Sequence, residues 1–416
     1  MRPITAVTVL YRSKGLLDEL TETLRSVRPL CEVTVVDGCS EDGTAEAAEA
    51  AMPWARHVRM VKNLGFGAAN NLALKEVKTP FVLLINPDAR LDLDSLSAMA
   101  AFLRESPTTA ACQPILRLWD WPVASAGAGT SMNAYGEGYD LRYMHYLPVA
   151  PQAADIRVPG VTAALSLWRT EALEECGGFD TSFFMYFEDV DMCLRLGSCG
   201  WRFHLLPAAF GIHRSGATSR RSRARGWEAA SSVLMARRWL GGGRLPASWW
   251  LREIRIQLAA LRRGGLDTAR LGAIRRGGRG RVAPMEMGAE LRSLLQSTPM
   301  DLPLPRGSWR DALSGGNVMA GPGWMNRKGV IGLAGQWGGM RLPSASGGAL
   351  RLALSTDSSY LSGVYGCDAE VLGRFALAPG TTELELEVPA GRNRAYIALD
   401  RLPDGEGVTV ERADFV

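Results

Sequence analysis

The sequence predicts an α/β domain, followed by an arginine-rich helical segment and an all-β domain. Three observations support this order. Apolar runs alternate with amphipathic stretches in the N-terminal part, as in a mostly parallel sheet with helices on its faces. Arginines then crowd residues 214–281, and strict alternation of apolar and polar residues follows after Asp301. A chain of 416 residues is long enough for two or three domains, which we predict at residues 1–215, 216–300 and 301–416.

The composition is that of an ordinary globular protein, with 47% hydrophobic and 22% charged residues. No apolar stretch reaches the roughly 18 residues that a membrane-spanning helix needs. The start of the chain lacks the apolar core and cleavage site of a signal peptide, so we expect it to belong to the fold. The seven cysteines are scattered without a C-x-x-C pair, which indicates free thiols and a cytoplasmic location.

Three apolar runs in the N-terminal part are predicted strands, at residues 4–11, 33–37 and 81–85. Helical patterns follow the first two runs, at residues 16–27 and 43–51. Polar clusters stand at the end of each run, at 11–13, 37–42 and 86–88. Because parallel sheets bind ligands beyond the carboxyl ends of their strands, we expect these three polar clusters to meet at one edge.

Several common catalytic and nucleotide-binding motifs are absent. Gly65 and Gly67 begin a dinucleotide-like pattern, but position 70 is Asn, so the pattern fails. The sequence has no phosphate loop, no H-E-x-x-H and no G-x-S-x-G. These absences weigh against hydride transfer, phosphate-loop ATP hydrolysis, zinc proteolysis and serine hydrolysis.

Acids at the ends of predicted strands are the remaining candidates for chemistry. Asp37 precedes a turn that opens a helix, so a capping role is one interpretation of it. Asp88 follows Asn86 and Pro87, which are typical of a tight turn. Asp88 is also suited to bind Mg²⁺ or Mn²⁺ on a diphosphate, since both cations prefer hard oxygen ligands.

The richest stretch is residues 177–196, where aromatic residues surround four acids. A helical pattern begins near Glu188, and acids in a first helical turn are favoured by the helix dipole. A carboxylate held there stays ionised, which also suits a general base, while the aromatic neighbours raise its basicity. His213 follows a predicted strand at 203–206; it is either an ordinary packed histidine or a metal ligand.

In chain order, these motifs resemble those of inverting glycosyltransferase family 2, which has the GT-A fold, a nucleotide-sugar-binding α/β domain. The similarity covers roughly residues 3–240. The sequences of segments 63–71 and 86–88 are most similar to those of the rhamnosyltransferase-type branch. The matching segments are 7–13, 35–37 with 40–44, 63–71, 83–88, 178–180, 188–195 and His213.

The resemblance implies roles for individual residues. Asp37 would accept a hydrogen bond from the imide N–H of uracil or thymine, with Tyr11 near the base. Asp88 and His213 would hold Mg²⁺ or Mn²⁺ on the diphosphate. Asp189 would remove the proton of the acceptor hydroxyl, supported by Glu188 and Asp191. The donor-binding set that the resemblance implies is Tyr11, Arg12, Asp37, Ser40, Asn63, Gly65, Gly67, Asn70, Asn86 and Asp88.

The implied reaction is direct displacement at the anomeric carbon, with inversion. The donor would be dTDP-L-rhamnose or a UDP-hexose, and the acceptor a saccharide or lipid-linked oligosaccharide in bacterial polysaccharide synthesis. Two departures concern the site: Gly38 and Cys39 stand where the family has Asn-Gly, and Asn86 replaces the first acid of its D-x-D metal motif. The second departure leaves open whether metal is strictly required.

Two other functions are compatible with part of the pattern. One is a catalytically idle module that binds carbohydrate or nucleotide sugar. The other is a nucleotidyltransferase, which would normally carry a Gly-rich basic loop near the N-terminus that this sequence lacks. Release of nucleoside diphosphate, or of pyrophosphate, would separate these functions.

Residues 214–281 contain 17 arginines, no lysine and three acidic residues. Such a block either meets an anionic partner or is a solvated helix surface. No nucleic-acid-binding motif accompanies it, so we expect no nucleic-acid partner. Within it, Trp250, Ile254, Leu258 and Leu261 recur at helical spacing among arginines. A helix of this kind lies in a membrane interface or packs on the core, and the first alternative predicts peripheral attachment to the cytoplasmic face of the inner membrane.

The last part of the chain has the pattern of antiparallel strands. Short segments typical of strands stand at 350–354, 384–388 and 396–399, with alternation clearest at 384–388, and Pro, Gly and Ser separate them. The pattern predicts a β-sandwich accessory domain of about 110 residues.

Overall fold

The structure is a computed structural model. It describes residues 2–143, 145, 147, 155–214, 221–262, 265–278, 282–297, 319–320, 324–327, 330–333, 337–343, 347–356, 361–367, 370–392, 394–399 and 408–416. The chain divides into two compact units. Unit 1 consists of Met1–Leu116, Gly127–Leu141 and Pro151–Met300, and unit 2 of Arg117–Ala126, Arg142–Ala150 and Asp301–Val416.

Twelve strands and ten α-helices lie among the described residues up to 297. The strands are β1 Ile4–Leu10, β2 Cys31–Asp37, β3 Arg56–Arg59, β4 Phe81–Ile85, β5 Ala89–Leu91, β6 Thr109–Leu118, β7 Ser125–Gly127, β8 Thr130–Met132, β9 Gly138–Asp140, β10 Ile156–Val158, β11 Leu165–Arg169 and β12 Arg202–His213. The helices are α1 Leu17–Val27, α2 Thr44–Ala51, α3 Phe66–Leu74, α4 Leu93–Glu105, α5 Thr170–Glu175, α6 Glu188–Ser198, α7 Arg221–Trp239, α8 Ala247–Leu261, α9 Thr268–Gly277 and α10 Ala289–Ser297.

A mixed sheet is the centre of unit 1, with the strand order β10-β12-β6-β11-β4-β1-β2-β3. Strand β1 runs parallel to both β2 and β4, and β2 runs parallel to β3. Every residue of β4 is buried, as expected for a parallel strand with both faces of its sheet covered. The predicted α/β architecture is therefore confirmed, and the carboxyl ends of β1, β2 and β4 lie at the same edge.

Strand β12 is longer than the predicted strand at 203–206, and His213 is its last residue. The extra length comes from antiparallel pairing with β5, in which His213 lies opposite Ala89. Sequence periodicity does not show this extension because β5 is a strand of only three residues. The pairing carries His213 to the edge where β4 ends.

The arginine-rich helices belong to unit 1 and contribute to its core. Trp249 of α8 packs with Val233 of α7 and Ile274 of α9 in one buried cluster. A second cluster joins α7 to the start of α6, through Leu234 and Val190. No helix among the described residues is both long and apolar enough to cross a bilayer.

Unit 2 contains two five-stranded antiparallel sheets, β13-β16-β21-β18-β19 and β14-β15-β22-β17-β20. Residues from both sheets share one buried core, for example Ile397 of the first and Leu352 of the second. The predicted β-sandwich is therefore confirmed. Its strands are β13 Met319–Ala320, β14 Trp324–Arg327, β15 Val330–Leu333, β16 Trp337–Arg341, β17 Gly348–Thr356, β18 Leu361–Cys367, β19 Glu370–Leu377, β20 Gly380–Val388, β21 Arg394–Leu399 and β22 Val408–Phe415.

Candidate active site

The loop after β2 presents a buried carboxylate with one unused oxygen. Asp37 is the last residue of β2, and its Oδ2 accepts a hydrogen bond from the Ser40 backbone N–H at 2.8 Å. Its Oδ1 is buried and has no hydrogen-bond partner among the residues that the structure describes. The backbone N–H of Arg12 donates to Ser40 Oγ at 2.9 Å, which joins this loop to the one after β1. Because a buried, unpaired acceptor costs free energy, the arrangement favours a ligand that donates a hydrogen bond to Asp37.

The same loop accommodates Gly38 and Cys39, which depart from the family pattern. Gly38 N–H donates to the Leu10 carbonyl at 2.8 Å, and a Cβ on Gly38 would lie 3.2 Å from that oxygen. Cys39 takes the left-handed conformation, with φ of 71°. Such a conformation is unfavourable for a residue with a Cβ and is found mostly at functional sites.

Tyr11 and Arg12 border this loop at the surface. Tyr11 is 36% exposed, and the Arg12 guanidinium lies 5.5 Å from the centroid of its ring. Arg12 also forms an exposed ion pair with Glu41 at 3.2 Å. An exposed aromatic ring on the loop that is joined to that of Asp37 is a suitable surface for a planar nucleobase.

Asn63 and Gly65 shape the segment before α3. Asn63 Oδ1 accepts a hydrogen bond from the Gly65 N–H at 2.9 Å. Gly65 has φ of 95°, and a Cβ there would lie 2.1 Å from the Phe184 carbonyl oxygen. The N–H of Phe66 donates to the same carbonyl at 3.1 Å, so this close approach requires glycine. Any donor contact made by Asn63 and Gly65 remains a prediction.

Gly67 and Asn70 are packed inside the fold. A Cβ on Gly67 would lie 2.9 Å from Phe179 Cβ. Asn70 is 1% exposed, and its amide donates to the Phe66 carbonyl at 3.0 Å. The neighbouring Asn71 makes two hydrogen bonds to the Phe179 backbone, at 2.7 and 2.9 Å. Both asparagines therefore stabilise the α3 region, and donor binding by Gly67 or Asn70 stays a prediction.

Asp88 and His213 form a pair at the carboxyl edge of the sheet. Asp88 is 5% exposed, and its Oδ1 lies 3.4 Å from His213 Nε2. Burial acts to raise the pKa of Asp88, but the hydrogen bond and charge of His213 outweigh it and hold the pKa below its usual range. An ionised carboxylate beside an imidazole has the chemistry of two ligands to a divalent cation. Among the described residues, no group of three or more His, Cys, Asp or Glu side chains forms a metal site.

Asn86 and Asp189 are connected through the turn before β11. Asn86 N–H donates to the Ala164 carbonyl at 2.8 Å. The preceding Ala163 N–H donates to Asp189 Oδ2 at 3.0 Å. Asp189 is the second residue of α6, so this helix presents a carboxylate at the edge that holds Asn86 and Asp88.

Burial raises the pKa of Asp189, although hydrogen bonds from Ala163 and Val190 act in the opposite direction. Val190 N–H donates to Asp189 Oδ1 at 2.8 Å. A carboxylate with a raised pKa is more basic, while the hydrogen bonds keep it oriented. The geometry is therefore that of a general-base candidate.

Glu188 is a buried carboxyl beside Asp189. Burial, followed by the charge of Asp189, raises the pKa of Glu188 to about 8. Within the described part of the chain, its Oε2 has no hydrogen-bond partner. Tyr186 and Phe187 precede it with φ of 70° and 69°. Two successive non-glycine residues in the left-handed region are costly, and such backbone is typical of functional sites.

Asp191 lies in a different environment from Asp189. It is 0% exposed, its Oδ2 accepts from Arg195 Nε at 2.9 Å, and its Oδ1 accepts from an Arg238 guanidinium nitrogen at 2.7 Å. Trp239 Nε1 also donates to Oδ1 at 3.1 Å, and Arg238 pairs with Asp180 as well. Oδ1 thus fixes α6 against α7, while Oδ2 is used by an ion pair within α6. Support of Asp189 by Asp191 remains a prediction, and this geometry favours support through positioning.

Asp140 lies at the site but was not among the residues selected from the sequence. It is the last residue of β9, in a stretch without a recognisable motif. Burial, then the charge of Asp189, raises its pKa to about 7, and His213 acts in the opposite direction. Asp140 is therefore an electrostatic neighbour of both the base candidate and the histidine of the Asp88 pair.

Acidic side chains gathered at the carboxyl edge of a covered α/β sheet have the arrangement of an enzyme active site. Residues 3–242 match the family described as glycosyltransferase-like family 2, and the chain belongs to that family. Its catalytic domain accordingly has the GT-A fold, and the protein is a glycosyltransferase.

Two curated relatives are rhamnosyltransferases. The N-acetylglucosaminyl-diphospho-decaprenol L-rhamnosyltransferase of Mycobacterium tuberculosis is 28% identical over 276 residues, which cover 60% of this chain and 89% of the relative. Rhamnosyltransferase WbbL of Escherichia coli is 28% identical over 166 residues, which cover 36% of this chain and 60% of the relative. Among solved structures, the mannosyltransferase PcManGT of Pyrobaculum calidifontis, in complex with GDP-Man and Mn²⁺, is similar with a TM-score of 0.41 and 18% identity. The match covers 66% of this chain and 69% of that one.

Proposed function

We propose that the protein transfers L-rhamnose from dTDP-L-rhamnose, or a hexose from a UDP-hexose, to a saccharide hydroxyl with inversion. The observation that carries the proposal is the buried, unpaired Oδ1 of Asp37 at the edge that also holds Asp189. Uracil and thymine both have an imide N–H that would donate a hydrogen bond to this oxygen. Two relatives are named as rhamnosyltransferases, and this favours dTDP-L-rhamnose over a UDP-hexose as the donor.

Asp189 acts as the base in this proposal. Its carboxylate takes the proton of the acceptor hydroxyl while the acceptor oxygen attacks the anomeric carbon, and the bond to the nucleoside diphosphate breaks on the opposite face. Burial increases the basicity of Asp189, and the charge of Asp189 in turn raises the pKa of the neighbouring Glu188 and Asp140. Inversion follows from a single displacement.

Asp88 and His213 are the residues that would hold Mg²⁺ or Mn²⁺. When bound, the cation offsets the negative charge of the departing diphosphate. A carboxylate and one imidazole suffice where diphosphate oxygens and water complete the coordination. Asn86 adds no charge to the pair, so we expect affinity for the free cation to be low and to rise when the diphosphate is present.

The acceptor in this proposal is a saccharide carried on a lipid diphosphate. The mycobacterial relative has such an acceptor in its name. A lipid-linked acceptor of bacterial polysaccharide synthesis lies at the cytoplasmic face of the inner membrane. We therefore propose a cytoplasmic protein that attaches peripherally to this anionic surface through residues 214–281.

A donor panel tests the transferase proposal. Purified protein would be incubated with dTDP-L-rhamnose, several UDP-hexoses and GDP-mannose, with water as the acceptor and Mg²⁺ or Mn²⁺ present. Slow release of dTDP or UDP from one donor supports the proposal. Tight donor binding without release would instead indicate an idle binding module, and release of pyrophosphate from a nucleoside triphosphate would indicate a nucleotidyltransferase.

Asp37→Asn is expected to weaken binding of dTDP or UDP about 10- to 100-fold, because the base loses a hydrogen bond to a charged acceptor. Calorimetric titration with each nucleoside diphosphate measures the change. Asp42→Asn in the same loop is the matched control, since the Asp42 carboxylate already accepts hydrogen bonds from Thr44. Equal affinity of wild type and Asp37→Asn would exclude Asp37 as the base-recognition residue.

Asp88→Ala and His213→Ala are each expected to reduce the gain in nucleoside diphosphate affinity that Mg²⁺ or Mn²⁺ provides. Each change removes one ligand of the cation that offsets the diphosphate charge. Titrations with and without metal separate this effect from direct donor contacts, and His204→Ala is a control for loss of a histidine from β12. A wild-type affinity that does not depend on metal would contradict the metal assignment.

A further inference from the structure

Helix α8 exposes a continuous apolar stripe. Trp250, Leu251, Ile254, Leu258 and Leu261 are 49%, 60%, 53%, 50% and 50% exposed. At about 100° per residue, these five side chains fall within an arc of about 100° on one side of the helix. A surface helix of a globular protein normally turns such a stripe towards the core.

The side of α8 next to this stripe is buried and partly polar. Trp249, Glu253 and Gln257 are 1%, 4% and 9% exposed. Glu253 forms an ion pair with Arg270 of α9 at 2.9 Å, and Gln257 donates to Glu253 at 2.8 Å and accepts from Asp267 N–H at 3.0 Å. These buried contacts fix the rotation of α8, because turning the apolar stripe inward would break them.

Exposed arginines flank the apolar stripe along one side. Arg255 and Arg262 are exposed and fall at the border of the arc of apolar side chains. Arg275 and Arg276 of α9 are exposed as well. Other arginines of the segment serve the fold: Arg238 pairs with Asp191.

Helix α8 is connected to the candidate active site within unit 1. Arg252 forms an ion pair with Glu137 at 2.6 Å, and its guanidinium lies 5.1 Å from the centroid of the Tyr135 ring. Tyr135 and Glu137 belong to the turn between β8 and β9, and β9 ends at Asp140. The apolar stripe is therefore on a helix that contacts the hairpin carrying an active-site acid.

We propose that the exposed face of α8 inserts into the interfacial region of an anionic phospholipid membrane, with Arg255 and Arg262 against the headgroups. Leucine and isoleucine side chains would enter the acyl boundary and Trp250 would lie at headgroup depth. Charge complementarity favours this occupant over a second copy of the chain, since two arginine-flanked stripes would repel one another. This attachment rests on the proposed function, in which the acceptor is lipid-linked. Binding of α8 to the membrane would bring that acceptor close to the β8–β9 hairpin, which ends at Asp140.

The test compares variants of the full chain by co-sedimentation with phosphatidylcholine vesicles, with and without phosphatidylglycerol, at low and high salt. The variant Ile254→Gln/Leu258→Gln is expected to reduce partitioning onto anionic vesicles about tenfold or more, because two apolar side chains are lost. The variant Arg255→Gln/Arg262→Gln is expected to weaken binding about tenfold or more at low salt and little at high salt.

Ile156→Gln/Val371→Gln is the matched control, since these two apolar side chains are 40% and 39% exposed but lie outside α8. It should bind vesicles like the wild type. Absence of wild-type binding to anionic vesicles, or equal binding by Ile254→Gln/Leu258→Gln, would overturn the inference. Sedimentation velocity tests a different occupant. If the wild type were a dimer that did not bind vesicles, and Ile254→Gln/Leu258→Gln were a monomer, the stripe would instead be an interface between copies.

The same variants distinguish failure of this inference from failure of the proposed function. Ile254→Gln/Leu258→Gln should release nucleoside diphosphate from the donor at the wild-type rate, with water as the acceptor. Wild-type release without vesicle binding would contradict only the membrane attachment. Vesicle binding without release from any donor would contradict only the transferase.

Discussion

Asp189→Asn is expected to lower the rate of sugar transfer about 10²- to 10⁴-fold, the usual cost of losing a general base. The amide keeps the size of the side chain and can still accept one of its two backbone hydrogen bonds, but it cannot take the acceptor proton. Donor affinity should stay close to that of the wild type, because Asp189 contacts Ala163 and Val190 rather than the loop of Asp37. Single-turnover transfer and calorimetric donor binding would be measured on the same preparation.

The pH dependence gives a second test of this role. Burial raises the pKa of Asp189, so the base is protonated at low pH and the transfer rate of the wild type should rise with pH as the carboxyl ionises. Since Glu188 and Asp140 interact with Asp189, this rise belongs to the cluster rather than to one residue. The residual transfer rate of Asp189→Asn should increase much less with pH than that of the wild type.

Retention of more than about a tenth of the wild-type rate by Asp189→Asn would place the base elsewhere, given the size of a general-base effect. Glu188→Gln and Asp140→Asn are then the next variants, because both carboxyls have raised pKa values next to Asp189. Asp94→Asn in the first turn of α4 is a control for loss of an acid at a helix start outside the site.

Asp191→Ala is expected to lower the free energy of unfolding by about 3–5 kcal/mol, the typical cost of removing one partner from a buried ion pair. Asp191 is 0% exposed, and its loss leaves Arg238, whose side chain is 8% exposed, with Asp180 as its remaining acidic partner. Trp239 Nε1 would also lose its acceptor. Urea denaturation followed by fluorescence measures the change, with near-native stability expected for Asp189→Asn.

Glu46→Ala is the matched control for Asp191→Ala. Glu46 forms an ion pair with Arg59 in unit 1, but both side chains are exposed, so its removal should leave stability essentially unchanged. If Asp191→Ala unfolded like the wild type and still lost transfer, Asp191 would belong to the catalytic machinery, as the sequence resemblance implies. A stability loss that Glu46→Ala shared would point to a general charge effect.

Much of the fold follows from local sequence pattern. The strands that end at Leu10, Asp37 and Ile85 are each a short apolar run followed by polar residues, so each could be recognised without its partners. Parallel pairing of β1 with β2 and β4 then brings their ends together by topology. Some sandwich strands were recognisable as well, for example the segments 350–354 and 384–388, because a half-buried antiparallel strand alternates with a period of two.

The environment of each site residue was decided by tertiary contacts. Local sequence placed Asp189 and Asp191 in the same first helical turn, yet one faces Ala163 and the other faces Arg238, which is 47 residues away. Asp140 has no motif of its own, and its raised pKa depends on burial and on the charge of Asp189. Pairing over such distances leaves no periodic signal in the sequence.

Helix α8 shows the same division between sequence and structure. The spacing of Trp250, Ile254, Leu258 and Leu261 determined that these side chains share one face, because the angle between residues of an α-helix is fixed. Which way that face points depends on the surface against which the helix packs. Only the tertiary structure showed that Glu253 and Gln257 face inward to Arg270 and Asp267, and therefore that the apolar stripe faces outward.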